Sequence, residues 1–178
     1  GEFVARFGTG STGVTITPSE AAYGQEKGLD IRCGNIESDS FVLEEKYDVI
    51  FANNLFEHLY STHNFLRKIR DYLEPGGILI LGVPCIPKVV SLLRFKKFQG
   101  SLSDAHVNFF TRDTLIKTVE AGGWTPSTTR GFHFTNPLVD HLFDPVYPHF
   151  YVIAVPNPHF TYSEKRMKEL VGYINIHT

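Results

Sequence analysis

Residues Tyr47–Pro84 read YDVIFANNLFEHLYSTHNFLRKIRDYLEPGGILILGVP. Val49, Ile50 and Phe51 form a short apolar run, the pattern of a strand covered on both faces. Asn53 and Asn54 interrupt it, because short amide side chains favour turns over sheet interiors. From Thr62 onward, Phe65, Ile69, Tyr72 and Leu73 fall at i, i+4, i+7 and i+8. Arg67, Lys68, Arg70 and Asp71 stand between them, which predicts a helix with one apolar face. Pro75-Gly76-Gly77 is expected to end that helix, and Ile78-Leu79-Ile80-Leu81 to form a second buried strand before Gly82. Two strands joined through a helix lie parallel with a right-handed crossover, so the chain is read as α/β.

Composition narrows the field around that unit. At 178 residues the chain suits a single core that buries roughly 70% of the unfolded surface. Hydrophobic residues at 42% and charged residues at 20% are ordinary for a globular protein. A formal charge of −2 argues against a nucleic-acid phosphate footprint as the main function, so no nucleic acid is expected as partner. The basic run Arg94-Phe95-Lys96-Lys97 is short and reads as a solvated helix end. No apolar run approaches the roughly 18 residues of a membrane span, and no membrane partner is expected. Cys33 and Cys85 lack C-x-x-C spacing, which favours a reducing, cytoplasmic setting and no zinc knuckle.

The central stretch resembles the middle of a class I S-adenosylmethionine-dependent methyltransferase. The residues that carry the resemblance are Asp48 opening a strand, Asn53, Asn54, Glu57 and His58 in the following loop, and the Leu73-x-Pro75-Gly76-Gly77 turn. It is most similar to the branch that includes the ubiquinone-biosynthesis O-methyltransferases, and the likeness extends more weakly from Gly1 to about Val155. The resemblance implies a Rossmann-like sheet, mostly parallel with an antiparallel pair at its C-terminal edge. It also implies S-adenosylmethionine as cofactor. Gly1 matches the last glycine of the family's cofactor loop, so the first strand is expected to be missing. Residues 1–156 are expected to form the methyltransferase-like domain and 157–178 an amphipathic tail.

The rest of the chain is read in order. Glu2–Phe7 is expected to be helical. Gly8–Gly13 matches G-x-G-x-x-G, but a helix-like piece precedes it and the β-branched run Val14–Thr17 follows. That order is wrong for a dinucleotide site, so the segment is read as a turn. Pro18-Ser19-Glu20 opens a helix with Ser19 as its cap, and Gly28 closes it. In the family an acid at the end of the second strand holds the ribose, usually where Thr15 or Thr17 stands here. A hydroxyl lacks the bidentate grip of a carboxylate; Glu20 is the residue that could substitute, although one turn into a helix it matches the family position poorly. Leu29–Cys33 is a further strand, and Gly34-Asn35-Ile36 follows where the family reads adenine. Asn35 can accept that hydrogen bond or simply form a turn. Ile86–Gln99 reads as an insertion, Ser101–Phe110 as a loop returning to the strand ends, and Thr111 onward as a capped helix bearing Leu115, Ile116 and Val119. Thr125–Phe134 and His149–Val155 are the expected edge pair, with Thr135–Pro148 a candidate substrate cover. Met167, Leu170, Val171 and Ile174 give the tail one apolar face.

The candidate cofactor-binding residues are Gly1, Thr15, Thr17, Asn35, Ile36, Asn53, Asn54 and Phe56. His58 and His106 are the candidate catalytic bases, since imidazole titrates near neutral pH; each could equally serve as a structural anchor. The resemblance also implies a metal variant with Glu-x-x-Glu-His and a later histidine, here Asn54, Glu57, His58 and His106. Asn54 lowers the charge offered to a hard cation, so no metal is expected, and Glu57, His58 and His106 are the set that would hold one. His133, His141, His149 and His159 follow no ligand spacing and are expected at the surface or at an interface. The implied function is methyl transfer to a small-molecule or glycan-type acceptor, in a possible homo-oligomer. The alternative is a methyltransferase-like module that binds or assembles without catalysis.

Overall fold

The structure is a computed structural model, described here for residues 1–131 and 147–170. It contains two compact units, Gly1–Glu44 and Glu45–Thr178.

The first unit runs α1 (Glu2–Phe7), β1 (Thr12–Thr15), α2 (Pro18–Glu26) and β2 (Asp30–Cys33). The two strands pair in parallel, Thr12 opposite Asp30 and Thr15 opposite Cys33. Gly8 and Gly10 adopt φ of 79° and 89°, which glycine enters without a Cβ penalty. The expected turn thus spans Gly8–Ser11, while Thr12 and Gly13 already belong to β1. Strand β1 begins and ends two residues earlier than the β-branched run suggests. Thr17 occupies the cap position expected for Ser19, because Pro18, with its fixed φ, already takes the first helical position. Gly24 of α2 lies so close to Ile31 of β2 that a Cβ there would strike it.

The second unit runs β3 (Tyr47–Asn53), α3 (Thr62–Ile69), β4 (Leu73–Pro84), α4 (Lys96–Gln99), α5 (Arg112–Ala121), β5 (Trp124–Gly131) and β6 (His149–Pro156), then a helix over Glu164–Leu170. The sheet order is β3-β4-β6-β5. Strands β3 and β4 are parallel, while β6 runs antiparallel to both β4 and β5. The α/β class and the antiparallel edge pair are thus as expected. The first strand that the resemblance implies has no counterpart among the described residues.

Two local expectations are corrected. Helix α3 ends at Ile69, a 3-10 turn covers Arg70–Tyr72, and Leu73 already pairs with Tyr47. Pro75-Gly76-Gly77 is a bulge inside β4: pairing steps from Tyr47 opposite Leu73 to Val49 opposite Ile78, and Gly76 at φ 84° helps to absorb the extra residues. Tyr72 and Leu73 are buried in either conformation, which is why helical spacing fitted them. Val49 is 47% exposed, so β3 is not covered on both faces. Strand β4, flanked on both edges, is the one that buries Leu79, Leu81 and Val83 completely.

Helices α3 and α5 close the core with Phe65, Leu66, Ile69, Leu115 and Val119, each such burial contributing roughly 1.5–3 kcal/mol. The Trp124 indole N–H donates to the Leu66 carbonyl at 3.0 Å. Arg70 donates to the carbonyls of Gly123 at 3.2 Å and Asn157 at 2.9 Å, tying the end of α3 to the ends of β5 and β6. Thr111 caps α5 through a reciprocal pair with Thr114. Most of the expected cover over Thr135–Pro148, Phe134, His133, His141, Val171 and Ile174 lie outside the described residues.

Candidate active site

In the second unit the site grows from the tip of β3. Asn54 turns the chain at φ 51°, a conformation uncommon outside glycine, and its N–H donates to the Gly82 carbonyl at 2.9 Å. Gly82 stands opposite Asn53 on one side and Tyr151 on the other. A Cβ at Gly82 would strike both the Asn53 Oδ1 and the Tyr151 ring, so glycine permits their approach.

His149, expected at the surface or an interface, is a half-buried part of this tip. Its Nε2 lies 2.9 Å from Asn54 Oδ1. Burial holds its pKa below the usual imidazole range. The neutral ring donates from Nε2, leaving a lone pair on Nδ1. Both His149 Nδ1 and Asn53 Oδ1 are buried without a hydrogen-bond partner. Unpaired buried acceptors are costly and mark places that await a donor. No sequence spacing pointed to His149, which reaches the tip only because β6 starts beside the end of β4.

Beyond the tip, a 3-10 turn over Phe56–His58 is held by the returning loop. The Val107 and Asn108 N–H groups both donate to the Glu57 carbonyl at 2.9 Å, and the Asn108 amide donates to the Leu59 carbonyl at 2.6 Å. Phe56 is fully buried, with ring centroids 5.3 Å from Phe110 and 6.0 Å from Phe65. Phe56, expected among the cofactor-binding residues, is thus a core residue with no surface open to a ligand.

Glu57 is 1% exposed, and its Oε2 has no partner. Burial pushes its pKa up, against smaller lowering effects from a backbone N–H and from His58. The buried Cys85 thiol is pushed up to about 12 by burial and by the Glu57 charge, so it is inert as a nucleophile. His58 Nδ1 lies 3.0 Å from the Ala105 carbonyl. A carbonyl only accepts, so Nδ1 carries the proton and the neutral ring keeps its lone pair on Nε2. That Nε2 lies 3.9 Å from Glu57 Oε1. The His106 ring meets His58 edge-on at 4.9 Å, and desolvation, then the His58 charge, lowers its pKa. Ligand atoms of Glu57, His58 and His106 all lie within 4.8 Å of one another. Asn54, at the first position of the metal pattern, has its Oδ1 against His149 instead. Beside the end of β4, a cavity of about 120 Å³ is lined by Cys85, Ile86, Pro87, Arg112, Tyr147 and Phe150, among others.

In the first unit, the Thr15 hydroxyl donates to Glu20 Oε2 at 2.8 Å and accepts the Thr17 N–H at 3.2 Å. A carboxylate therefore does stand at the end of β1, brought back from the first turn of α2. The Asn35 Oδ1 accepts the Glu37 N–H at 2.9 Å, which makes Asn35 the local turn residue. Ile36 beside it is half-buried. Thr17 caps α2 without a side-chain bond, and the Gly1 carbonyl accepts the Ala5 N–H at the start of α1.

Comparison with known proteins bears on the whole arrangement. A family model described as a methyltransferase domain matches residues 5–128. The sterol 4-C-methyltransferase strm-1 of Caenorhabditis elegans is 32% identical over 85 residues, covering 44% of this chain and 25% of that protein. The ubiquinone biosynthesis O-methyltransferase of Dinoroseobacter shibae is 26% identical over 142 residues, covering 71% of this chain and 57% of that protein. The chain thus spans well under two thirds of either relative. A crystal structure of an Archaeoglobus fulgidus SAM-dependent methyltransferase superposes with a TM-score of 0.63 at 16% identity, over 86% of this chain and 79% of that one.

Proposed function

This chain belongs to the methyltransferase domain family, and on that premise we propose that the protein transfers a methyl group from S-adenosylmethionine to a small-molecule or carbohydrate-type acceptor. The supporting observation is that residues within the family match, Asn53, Asn54, His58 and His106, gather in one unit just beyond the tip of β3. S-adenosylmethionine, when bound, supplies an electrophilic methyl carbon.

The residues present fit such a group. In the second unit, the unpartnered Asn53 Oδ1 accepts from a hydroxyl or amine. His58, locked as the Nδ1–H tautomer, takes the acceptor's proton on Nε2, and Glu57 at 3.9 Å balances the resulting imidazolium. His106 holds the His58 ring in place. Such a base is worth roughly 10²–10⁴ in rate.

Titrating S-adenosylhomocysteine into the protein in a calorimeter tests this. Saturable heat at one site supports it. No heat at millimolar ligand, with the protein folded, overturns it and leaves the non-catalytic module.

The cluster of Glu57, His58 and His106 favours a second reading of the same site. Two imidazoles and a carboxylate suit a transition metal, and the His58 Nδ1–H on a backbone carbonyl is the outer contact that metal-bound imidazoles usually make. These three side chains would hold the ion, which would polarise the acceptor oxygen. Manganese or zinc titration of the wild type and of His106→Ala separates the two readings: stoichiometric binding lost in the variant supports the metal, and none in either supports the base alone.

A further inference from the structure

We propose that His149 positions the Asn54 amide so that its nitrogen receives the carboxylate of the bound cofactor, a role that rests on the methyl-transfer reading above. His149 opens β6, and the antiparallel ladder sets it opposite Pro84, two residues from the Gly82–Tyr151 pair. Gly82 also stands opposite Asn53. Residues two apart on a strand share a face, so Asn53, Tyr151 and His149 project from the same face of the sheet. The Tyr151 ring lies 4.9 Å from the imidazole, tilted by 46°, and confines it.

The contact between His149 Nε2 and Asn54 Oδ1, at 2.9 Å, is directional. A carbonyl oxygen only accepts, so the imidazole donates. With its oxygen held this way, the Asn54 amide turns its nitrogen away from His149. That nitrogen has no hydrogen-bond partner among the described residues, and Asn54 is exposed just before the Phe56–His58 turn. An amide nitrogen is a donor and nothing else. Its N–H groups suit an anionic oxygen best, because hydrogen bonds to a charged group are roughly twice as strong as neutral ones. S-adenosylmethionine offers one such group, the carboxylate of its methionine end, whereas its nucleoside carries only neutral hydroxyls and ring nitrogens. His149 does more than fill space. Its Nδ1 is buried without a partner, a cost that an apolar side chain in the same place would avoid. What the histidine adds is the donor that fixes Asn54.

Calorimetric titration with S-adenosylhomocysteine, and with methylthioadenosine, which keeps the nucleoside but lacks the carboxylate, tests the proposal. His149→Phe and Asn54→Asp are each expected to weaken S-adenosylhomocysteine about tenfold or more and to leave methylthioadenosine unchanged. His149→Gln, whose amide nitrogen reaches the place of Nε2, is expected to keep the wild-type affinity. Asn54→Asp retains an acceptor for the histidine and tolerates the left-handed turn, so it decides the matter if His149→Phe fails to fold. Unchanged S-adenosylhomocysteine affinity in the folded variants overturns the proposal while the methyl-transfer reading stands. Equal weakening of both ligands also overturns it, since that marks a change in the shape of the site. No binding of S-adenosylhomocysteine to the wild type overturns the methyl-transfer reading and this role with it.

Discussion

The Nε2 of His149 lies 2.9 Å from the Oδ1 of Asn54, so the first residue of β6 holds the turn that ends β3. Asn54 sits there at φ 51°. Replacing it with alanine removes the hydrogen bond and leaves a Cβ in the left-handed region, at a combined cost of about 2 kcal/mol. Asn54→Gly loses only the bond, about 1 kcal/mol. Urea unfolding should rank wild type above Gly and Gly above Ala; an alanine variant as stable as glycine would show that the turn is unstrained.

Burial lowers the pKa of His149, His63 and His106. The unfolded chain takes up these protons near the ordinary pKa of about 6.5, where the folded chain resists them. The unfolded state thus binds more protons, and stability falls as pH drops below about 6.5. Melting temperature should be nearly level from pH 8 to 7 and decline towards pH 5.5. His149→Phe should flatten that decline, and an unchanged slope would assign it elsewhere.

Glu57 has the opposite sign. Its folded pKa is raised from 4.5, so its contribution is complete below that value and lost as pH rises through the folded pKa. Glu57→Gln removes a buried charge while keeping the shape. It should stabilise the protein by about 1–2 kcal/mol at pH 7.5 and leave it unchanged near pH 4. Denaturant midpoints at both pH values check this, and a loss of stability at pH 7.5 would mean that the carboxylate is well paired after all.

The two histidines should separate kinetically. His58→Gln is expected to slow methyl transfer roughly 10²–10⁴-fold while leaving S-adenosylhomocysteine affinity unchanged. His106→Gln, which disturbs the His58 ring rather than the proton acceptor, should cost less. Single-turnover rates with the methyl acceptor decide the order; if His106 is the costlier loss, it is the base.

At Gly82 an added methyl has no room between Asn53 and Tyr151. Gly82→Ala should destabilise by about 1–3 kcal/mol and shift the amide resonances of Asn53 and Asn54. Shifts confined to β4 itself would show that the tip is not coupled to it.

By itself the sequence determined what acts over a few residues: the β-α-β order of Tyr47–Pro84, the turn after Gly8 and the Thr111 cap, whereas the antiparallel edge pair was legible only through family likeness. Apolar periodicity and chain breakers work locally, so they leave a trace in the order of residues. His58 and His106 were legible as candidates through family likeness, while their T-shaped contact appears only in the fold. The tertiary structure alone decided that Leu73 begins a strand, that Glu57 is buried, that Glu20 returns to Thr15, and that His149 meets Asn54 across 95 residues. Burial depends on which strands flank a segment, and a hydrogen bond between distant side chains has no period, so neither can be read along the chain.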